Sequence, residues 1–263
     1  MKDLSKNVAI VTGSSSGVGA ATAKQLASLG CNVVINYNSN EAGAQAVADE
    51  CSAFGVETLI HKGNVAEDGD CIAMAQAAID KWGRIDVLVN NAGTTKFVDH
   101  QNLDGLDKDD FRRIYDVNVV GAYQMTRAVT KQMQGQEEGG AVVNVASTAG
   151  ITGIGSCIAY AASKGAMVTM TLSLARALGP KLRINAVCPG FIEGDWLKDG
   201  FGEERYQKLM EFNRDNAPLK RTATAETVAD AIVHFVIGSQ VVTGETLIVD
   251  GGRHLAMAPL TRR

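Results

Sequence analysis

The chain has 263 residues, 46% of them hydrophobic and 21% charged, with a formal net charge of −4. That length holds one large α/β domain or two small ones, and the mild acidity argues against nucleic acid or an anionic membrane as the main partner. No apolar run approaches the ~20 residues that cross a bilayer, and MKDLSKNVAIVTG lacks the apolar core of a secretory leader.

Short β-rich runs alternate with longer helical patterns from end to end. Strands are expected at NVAIVT, NVVINY, ETLIH, IDVLVN, AVVNVA, RINAV and TLIVD, with amphipathic helices near 17–29, 40–53, 67–82, 107–134, 157–179 and 224–237. Strands separated by helices imply right-handed crossovers and a parallel sheet. Apolar, non-alternating strands suit a sheet covered on both faces. The expectation is a single Rossmann-type, doubly wound α/β domain over 1–263, a seven-stranded parallel sheet with helices on both faces. Its cofactor half runs to about 145 and its catalytic and substrate half over about 146–252. The one irregular stretch, FIEGDWLKDGFGEERYQKLMEFNRDNAPLK, has the length of a lid or binding loop, placed over about 191–217. Five cysteines (Cys31, Cys51, Cys71, Cys157, Cys188) are odd in number, scattered and never in CxxC spacing. They suggest reduced thiols in a cytoplasmic protein, with no disulfide framework and no metal.

Immediately after the first strand, Gly13, Ser15, Ser16, Gly17, Val18 and Gly19 form a glycine-rich loop that opens into a helix. Glycines there let the backbone turn sharply and approach a pyrophosphate at the positive end of the helix. The second strand ends in Asn36-Tyr37-Asn38-Ser39-Asn40, with no carboxylate before Glu41. An acidic residue there favours NAD(H). Its absence favours NADP(H), with NAD(H) as the alternative, because no Arg or Lys is present either. Strand four ends in Asn90-Asn91-Ala92-Gly93, small residues and amides suited to a cofactor passing over the sheet. Further on, Tyr160 and Lys164 stand four apart, on one face of a helix. A neighbouring ammonium is expected to lower the phenol pKa, and Ser147 at the preceding strand end can offer a hydroxyl to the same oxygen.

With TGxxxGxG, NNAG, Ser147, YxxxK and Pro189-Gly190 in order, the chain from about Asn7 to Gly252 resembles the single-domain short-chain dehydrogenase/reductases. The thirteen residues from Ser147 to Tyr160 match that family. The resemblance implies Tyr160 as general acid in reduction and base in oxidation, and Ser147 as a ligand of the substrate oxygen. Lys164 would lower the tyrosine pKa and hold the nicotinamide ribose. Asn118 would support a water that feeds protons past Lys164. Asn64 and Val65 would lie against adenine, Asn90 and Gly93 beside the adenosine ribose, and Pro189, Gly190 and Ile192 over the nicotinamide. The family also implies a homotetramer built on the helices near 107–134 and 157–179.

Three departures stand out. Asn64 replaces a frequent Asp, and Gly194 stands where the family often has a threonine that ties the carboxamide, so that tie is missing or shifts to Asp195. The Gln134–Gly140 segment carries Glu137 and Glu138, which disfavour an acidic acyl carrier protein, although Lys131 and Arg176 offer positive charge. The substrate pocket is expected to be walled by Thr94, Thr95 and Phe97, by Ile151, Ile154 and Cys157, and by Trp196, Leu197, Phe201 and Tyr206 of the lid. With no evident arginine clamp, a hydrophobic ketone or secondary alcohol is the expected small-molecule substrate, with a 3-oxoacyl thioester as the alternative. The rival class is a nucleotide-sensing protein without chemistry, which could dispense with the tyrosine and lysine. The tail RHLAMAPLTRR is either a subunit-contact arm or a frayed end.

Overall fold

The structure, a computed structural model, describes residues 4–256; the tail beyond Ala256 lies outside the described residues. Its first strand, inside the sheet, exposes nothing: Val8, Ala9, Ile10 and Val11 form β1 (Val8–Val11), each 0% exposed. Ala9 and Val11 pack into one apolar layer, Val8 and Ile10 into the other. This is the two-residue alternation of a strand covered on both faces.

The chain continues through α1 (Gly17–Ser28), β2 (Asn32–Tyr37), α2 (Glu41–Ser52), β3 (Thr58–Lys62), α3 (Asp68–Trp82) and β4 (Val87–Asn90). Then come α4 (Lys108–Tyr115), a π-helical turn (Asp116–Val120), α5 (Gly121–Gly135), β5 (Gly140–Val145), α6 (Ala149–Thr152) and α7 (Ile158–Leu178). The last elements are β6 (Leu182–Pro189), α8 (Asp195–Phe201), α9 (Glu203–Asn216), α10 (Ala225–Ile237) and β7 (Thr246–Val249). Every strand pair is parallel, in the order β3-β2-β1-β4-β5-β6-β7. The doubly wound, seven-stranded parallel sheet expected from the alternating pattern is therefore the observed fold. Buried residues of α1, α2 and α10 fill one layer, and those of α3 and α5 fill the other with Ala175 of α7. The strand order reverses between β1 and β4, which opens a crevice at their carboxyl ends.

Two expectations about elements change. The helix near 107–134 is interrupted: α4 and α5 are joined by the π turn, where Asn118 is wholly buried. The amide of Asn118 is held by Thr94 backbone, and Gly121 lies so close to Val65 that a Cβ would stand 2.7 Å from its Cγ2. A widened turn lets both contacts form in one helical run. The irregular lid is instead two helices, α8 and α9. The polar sequence of α9 has one buried residue, Tyr206, so it carries almost no apolar stripe by which to be recognised.

Candidate active site

The crevice is built from the carboxyl ends of β1, β4, β5 and β6. At its floor the Thr12 hydroxyl donates to Val89 O (3.2 Å) and accepts from Asn91 N (2.9 Å) and Ala92 N (3.0 Å). The Asn91 amide donates to Thr12 O (2.9 Å) and Gly13 O (3.1 Å), tying the NNAG turn to the glycine loop. From β2, the buried Asn36 accepts from Gly13 N (2.9 Å) and donates to Gly63 O (3.0 Å). Ser14, fully buried, donates to Val11 O (2.7 Å) and accepts from Asn36 N (2.9 Å). Thr12, Ser14 and Asn36 thus fix the loop from below. The sequence signal for Asn36 was an amide within the otherwise apolar run NVVINY.

The two later loop glycines do different things. Gly17 has φ +54° and open space beyond it, so backbone conformation alone restricts it. At Gly19 a Cβ would lie 2.5 Å from Asn91 Nδ2 and from Gly13 O. α1 begins after Ser16, which is extended (φ −163°) and makes no side-chain capping bond, and its first turn carries no carboxylate. Ser15, Ser16, Gly17 and Val18 all retain solvent contact. Helix N–H groups presented without cap or acid form an anion cradle, so the residues present fit a dinucleotide pyrophosphate.

Around this cradle, Tyr37 is buried near Glu41; burial and that carboxylate push its pKa up. Asn38 and Ser39 are exposed. Asn64 accepts from Ala66 N (3.1 Å) and its N–H donates to Asp70 (2.8 Å), while Val65 is buried against α5. Asn90 does not flank the crevice. Its amide is turned inward to Ala122 O (3.3 Å), Thr126 (3.1 Å) and Asn144 (2.9 Å), so the neighbouring Asn91 faces the loop instead.

The chemistry-bearing side chains converge above the ends of β5 and β6. Ser147, two residues beyond β5, accepts from Ala149 N (3.1 Å), donates weakly to Pro189 O (3.5 Å) and stands beside Tyr160. Tyr160 and Lys164 lie on α7, with the ammonium 5.7 Å from the phenol ring centre. Lys164 is 3% exposed and donates to Val145 O at 2.7 Å. A Cβ on Gly93 would lie 3.4 Å from Asn118 Oδ1 and 3.7 Å from Lys164 Nζ, so the NNAG turn, the π turn and α7 meet at one point. Asn118 accepts from Thr94 N (2.8 Å) and donates to Thr94 O and to Ser163 Oγ (both 3.0 Å). Ser163, also fully buried, passes the contact to Tyr160 O at 2.7 Å. Its position beside Lys164 in AASK was the only clue to this linking role.

The electrostatics correct one expectation. Tyr160 is pushed up to about 12, mainly by burial and secondarily by the neighbouring Cys188 and Cys157, with the Ser147 hydrogen bond opposing. Lys164 does not lower it, since the ammonium is turned toward the Val145 carbonyl. Burial instead brings Lys164 down to about 8.

Over Tyr160 stands an aromatic cluster. Trp196 of α8 lies 6.1 Å from the Tyr160 ring and 6.0 Å from Phe97, and Phe97 lies 4.8 Å from Phe201. Gly200 is packed so tightly on the Phe97 ring that a Cβ there would displace the ring. Leu197 is half-buried on the same helix. Thr95 binds Ser156 (2.6 Å), strapping the NNAG segment to the start of α7. Ile154, 78% exposed, and Ile151, 47% exposed, stand at the rim. Two expected wall residues are elsewhere. Cys157 is 0% exposed, in a core cluster with Ile114 and Ala159, and its sulfur caps α7 by accepting from Tyr160 N (3.4 Å). Tyr206 is buried against Phe191 and its hydroxyl accepts from Gly194 N (3.2 Å), which makes it a strut of the lid. Among the described residues no His, Cys, Asp and Glu group is arranged to hold a metal, and no helix is long and apolar enough to cross a membrane.

A crevice at the switch point, an uncapped glycine loop and a Ser–Tyr–Lys cluster together define a nucleotide-dependent oxidoreductase of the doubly wound class. Comparison with known proteins makes the class specific. Residues 13–254 match a family model described as enoyl-(acyl carrier protein) reductase. A Streptomyces violaceoruber protein, provisionally named ketoacyl reductase 2 of the granaticin polyketide synthase, is 38% identical over 94% of this chain and 96% of its own. A Burkholderia xenovorans crystal structure, provisionally assigned as a short-chain dehydrogenase/reductase, is 37% identical, with TM-score 0.87 over 95% of this chain and 98% of that one. NAD+-bound xylitol dehydrogenase superposes with the same TM-score at 27% identity, over 95% of this chain and all of that one. The chain belongs to the short-chain dehydrogenase/reductase family. It is an NAD(P)-dependent oxidoreductase acting on CH–OH and C=O groups of a small-molecule substrate.

Proposed function

We propose that the protein interconverts a hydrophobic ketone and its secondary alcohol, with Tyr160 as acid/base, Ser147 and Lys164 beside it, and Asn118 behind Lys164. The observation that carries this reading is the convergence of Ser147, Tyr160 and Lys164 beneath the Trp196–Phe97 pair. A nicotinamide held over Pro189, Gly190 and Ile192 would supply hydride to the carbonyl carbon. Ser147 and Tyr160 orient the carbonyl oxygen as paired donors. A phenol at about 12 holds its proton at neutral pH, which suits a donor to the developing alkoxide. Lys164, charged below about 8, is placed to hold the nicotinamide ribose rather than to lower the phenol pKa, and the aromatic pair of Trp196 and Phe97 stands over the transfer.

NADP(H) is the favoured cofactor in this proposal. Asn38 and Ser39 stand exposed at the end of β2, and the first carboxylate after them is Glu41, which opens α2 beside Tyr37. The cofactor would pass Gly13–Gly19, Asn64, Val65, Asn91, Ala92 and Gly93 to Pro189, Gly190 and Ile192. A homotetramer through α5 and α7 is proposed as well, since Tyr123 (47%) and Leu172 (50%) are exposed on them; light scattering tests it. One domain in a cytoplasmic setting completes the proposal.

The second reading, reduction of a 3-oxoacyl thioester, is favoured by the likeness to a polyketide-synthase ketoacyl reductase. NADPH and NADH oxidation on an acetoacetyl thioester against a bulky hydrophobic ketone separates the two. A kcat/KM at least tenfold higher on the ketone supports the first reading; the reverse order replaces it with the second.

A further inference from the structure

A small cavity adjoins the reaction centre and belongs to none of the roles above. It has a volume of about 50 Å3 and is lined by Thr148, Asn213, Arg221, Thr222, Asp250 and Arg253, with Gly190 in its wall. A single water needs roughly 10–15 Å3 by this measure, so there is room for a group of a few heavy atoms. Its wall touches the machinery already described: Ser147 Oγ (3.5 Å) and Thr148 N (2.9 Å) both donate to Pro189 O, and Gly190 follows in the chain.

The charges in the lining do not balance internally. Arg253 lies over the Phe212 ring (5.1 Å) and donates through Nη1 to Ala256 O (3.4 Å), while its Nε is buried without an acceptor. Arg221 lines the same space, and among the described residues its side chain makes no hydrogen bond or ion pair. The one carboxylate in the lining is committed. Asp250 accepts from Gly252 N (2.9 Å), His254 N (2.8 Å) and His254 Nδ1 (2.9 and 3.0 Å), and is paired with neither arginine. Thr222 is also engaged, by the Glu193 carboxylate. A guanidinium N–H buried without an acceptor is costly, and a planar oxyanion is the acceptor a guanidinium fits best.

We propose that this cavity binds a small oxyanion, a carboxylate or phosphate group, held by Arg221 and Arg253 with the Thr148 hydroxyl beside it. The source is either a free ion or the acid group of the substrate itself. The latter rests on the carbonyl-reductase reading and would make short oxo acids substrates. Arg221 and Arg253 flank α10 and β7, so only the fold brings them together.

Two arms test the site on the full chain with saturating NAD(P)+, which fills the glycine loop. Inorganic phosphate is titrated by calorimetry into the wild type, Arg221→Gln, Arg253→Met and the charge-keeping Arg253→Lys. Separately, kcat/KM is measured for a short 3-oxo acid and for its methyl ester. Phosphate binding that weakens at least tenfold in Arg221→Gln and Arg253→Met, and less in Arg253→Lys, supports the site with a free ion. A fall of at least tenfold in the acid-to-ester ratio supports it with the substrate as source. Phosphate binding that is absent or indifferent to these substitutions, together with an unchanged ratio, overturns the proposal. The calorimetric arm needs no turnover, so it fails separately from the reductase reading. Arg253→Lys and cofactor binding guard against variants that merely unfold.

Discussion

Lys164→Met is the sharpest probe of the buried cluster, because it removes the ammonium while nearly preserving the side-chain volume. In the folded chain Lys164 is 3% exposed and its pKa falls from 10.5 to about 8, with burial as the cause. Below about 8 the folded state pays the full cost of holding the charge out of water. Between about 8 and 10.5 the unfolded chain binds the proton and the folded chain does not, so stability gained from this group rises with pH in that window. The whole shift corresponds to about 3 kcal/mol, of which about 2.5 kcal/mol falls between pH 7 and pH 10. The variant also loses the bond to Val145 O, but that offset does not depend on pH. Urea unfolding of both proteins at pH 7, 8, 9 and 10 should therefore show the wild type gaining about 2.5 kcal/mol relative to Lys164→Met across the series. Parallel curves would refute the account of Lys164 as a strained, buried cation.

The remaining expectations concern rate and cofactor. Reduction should be flat from pH 6 to 7.5 and fall above about 8, where Lys164 loses its charge while Tyr160, at about 12, keeps its proton; a rate rising through pH 8 contradicts the roles given to the pair. Gly19→Ala must displace Asn91 or Gly13 and should weaken NAD(P)H binding at least tenfold. Gly17→Ala meets only its φ of +54°, costing about 1–2 kcal/mol. Calorimetry that ranks Gly17→Ala as the more damaging to cofactor affinity contradicts the loop account. Trp196→Ala loses ring contacts to Phe97 and Tyr160 worth about 0.5–1.5 kcal/mol each. KM for a bulky ketone should rise about tenfold with a smaller change in kcat; an unchanged KM removes Trp196 from the substrate wall.

The fold was legible because its strands are short apolar runs separated by periodic helices, and both signals survive without tertiary context. The glycine loop, the NNAG turn and the Ser147, Tyr160 and Lys164 cluster were visible because each is contiguous or closely spaced. What escaped depends on contacts between distant segments. The π turn exists through Thr94 and Val65, which a helix pattern over 107–134 does not contain. The inward turn of Asn90 depends on Thr126 and Asn144. Cys157 looked like a pocket residue beside Tyr160, yet α4 and the 95–106 segment close over it. The Tyr160 pKa was misjudged because spacing gives the proximity of Lys164 but not its degree of burial. Helix α9 was missed because Tyr206 is its one buried residue, so its sequence shows no apolar stripe.

The central claim is that Tyr160 exchanges the proton while the rest of the crevice binds the cofactor. Tyr160→Phe removes one hydroxyl and leaves the ring against Trp196, so NAD(P)H oxidation on the preferred ketone and NAD(P)H binding by fluorescence are measured on the same preparation. The account predicts less than a tenth of wild-type turnover with cofactor affinity nearly unchanged. Turnover above a tenth with intact binding would contradict it.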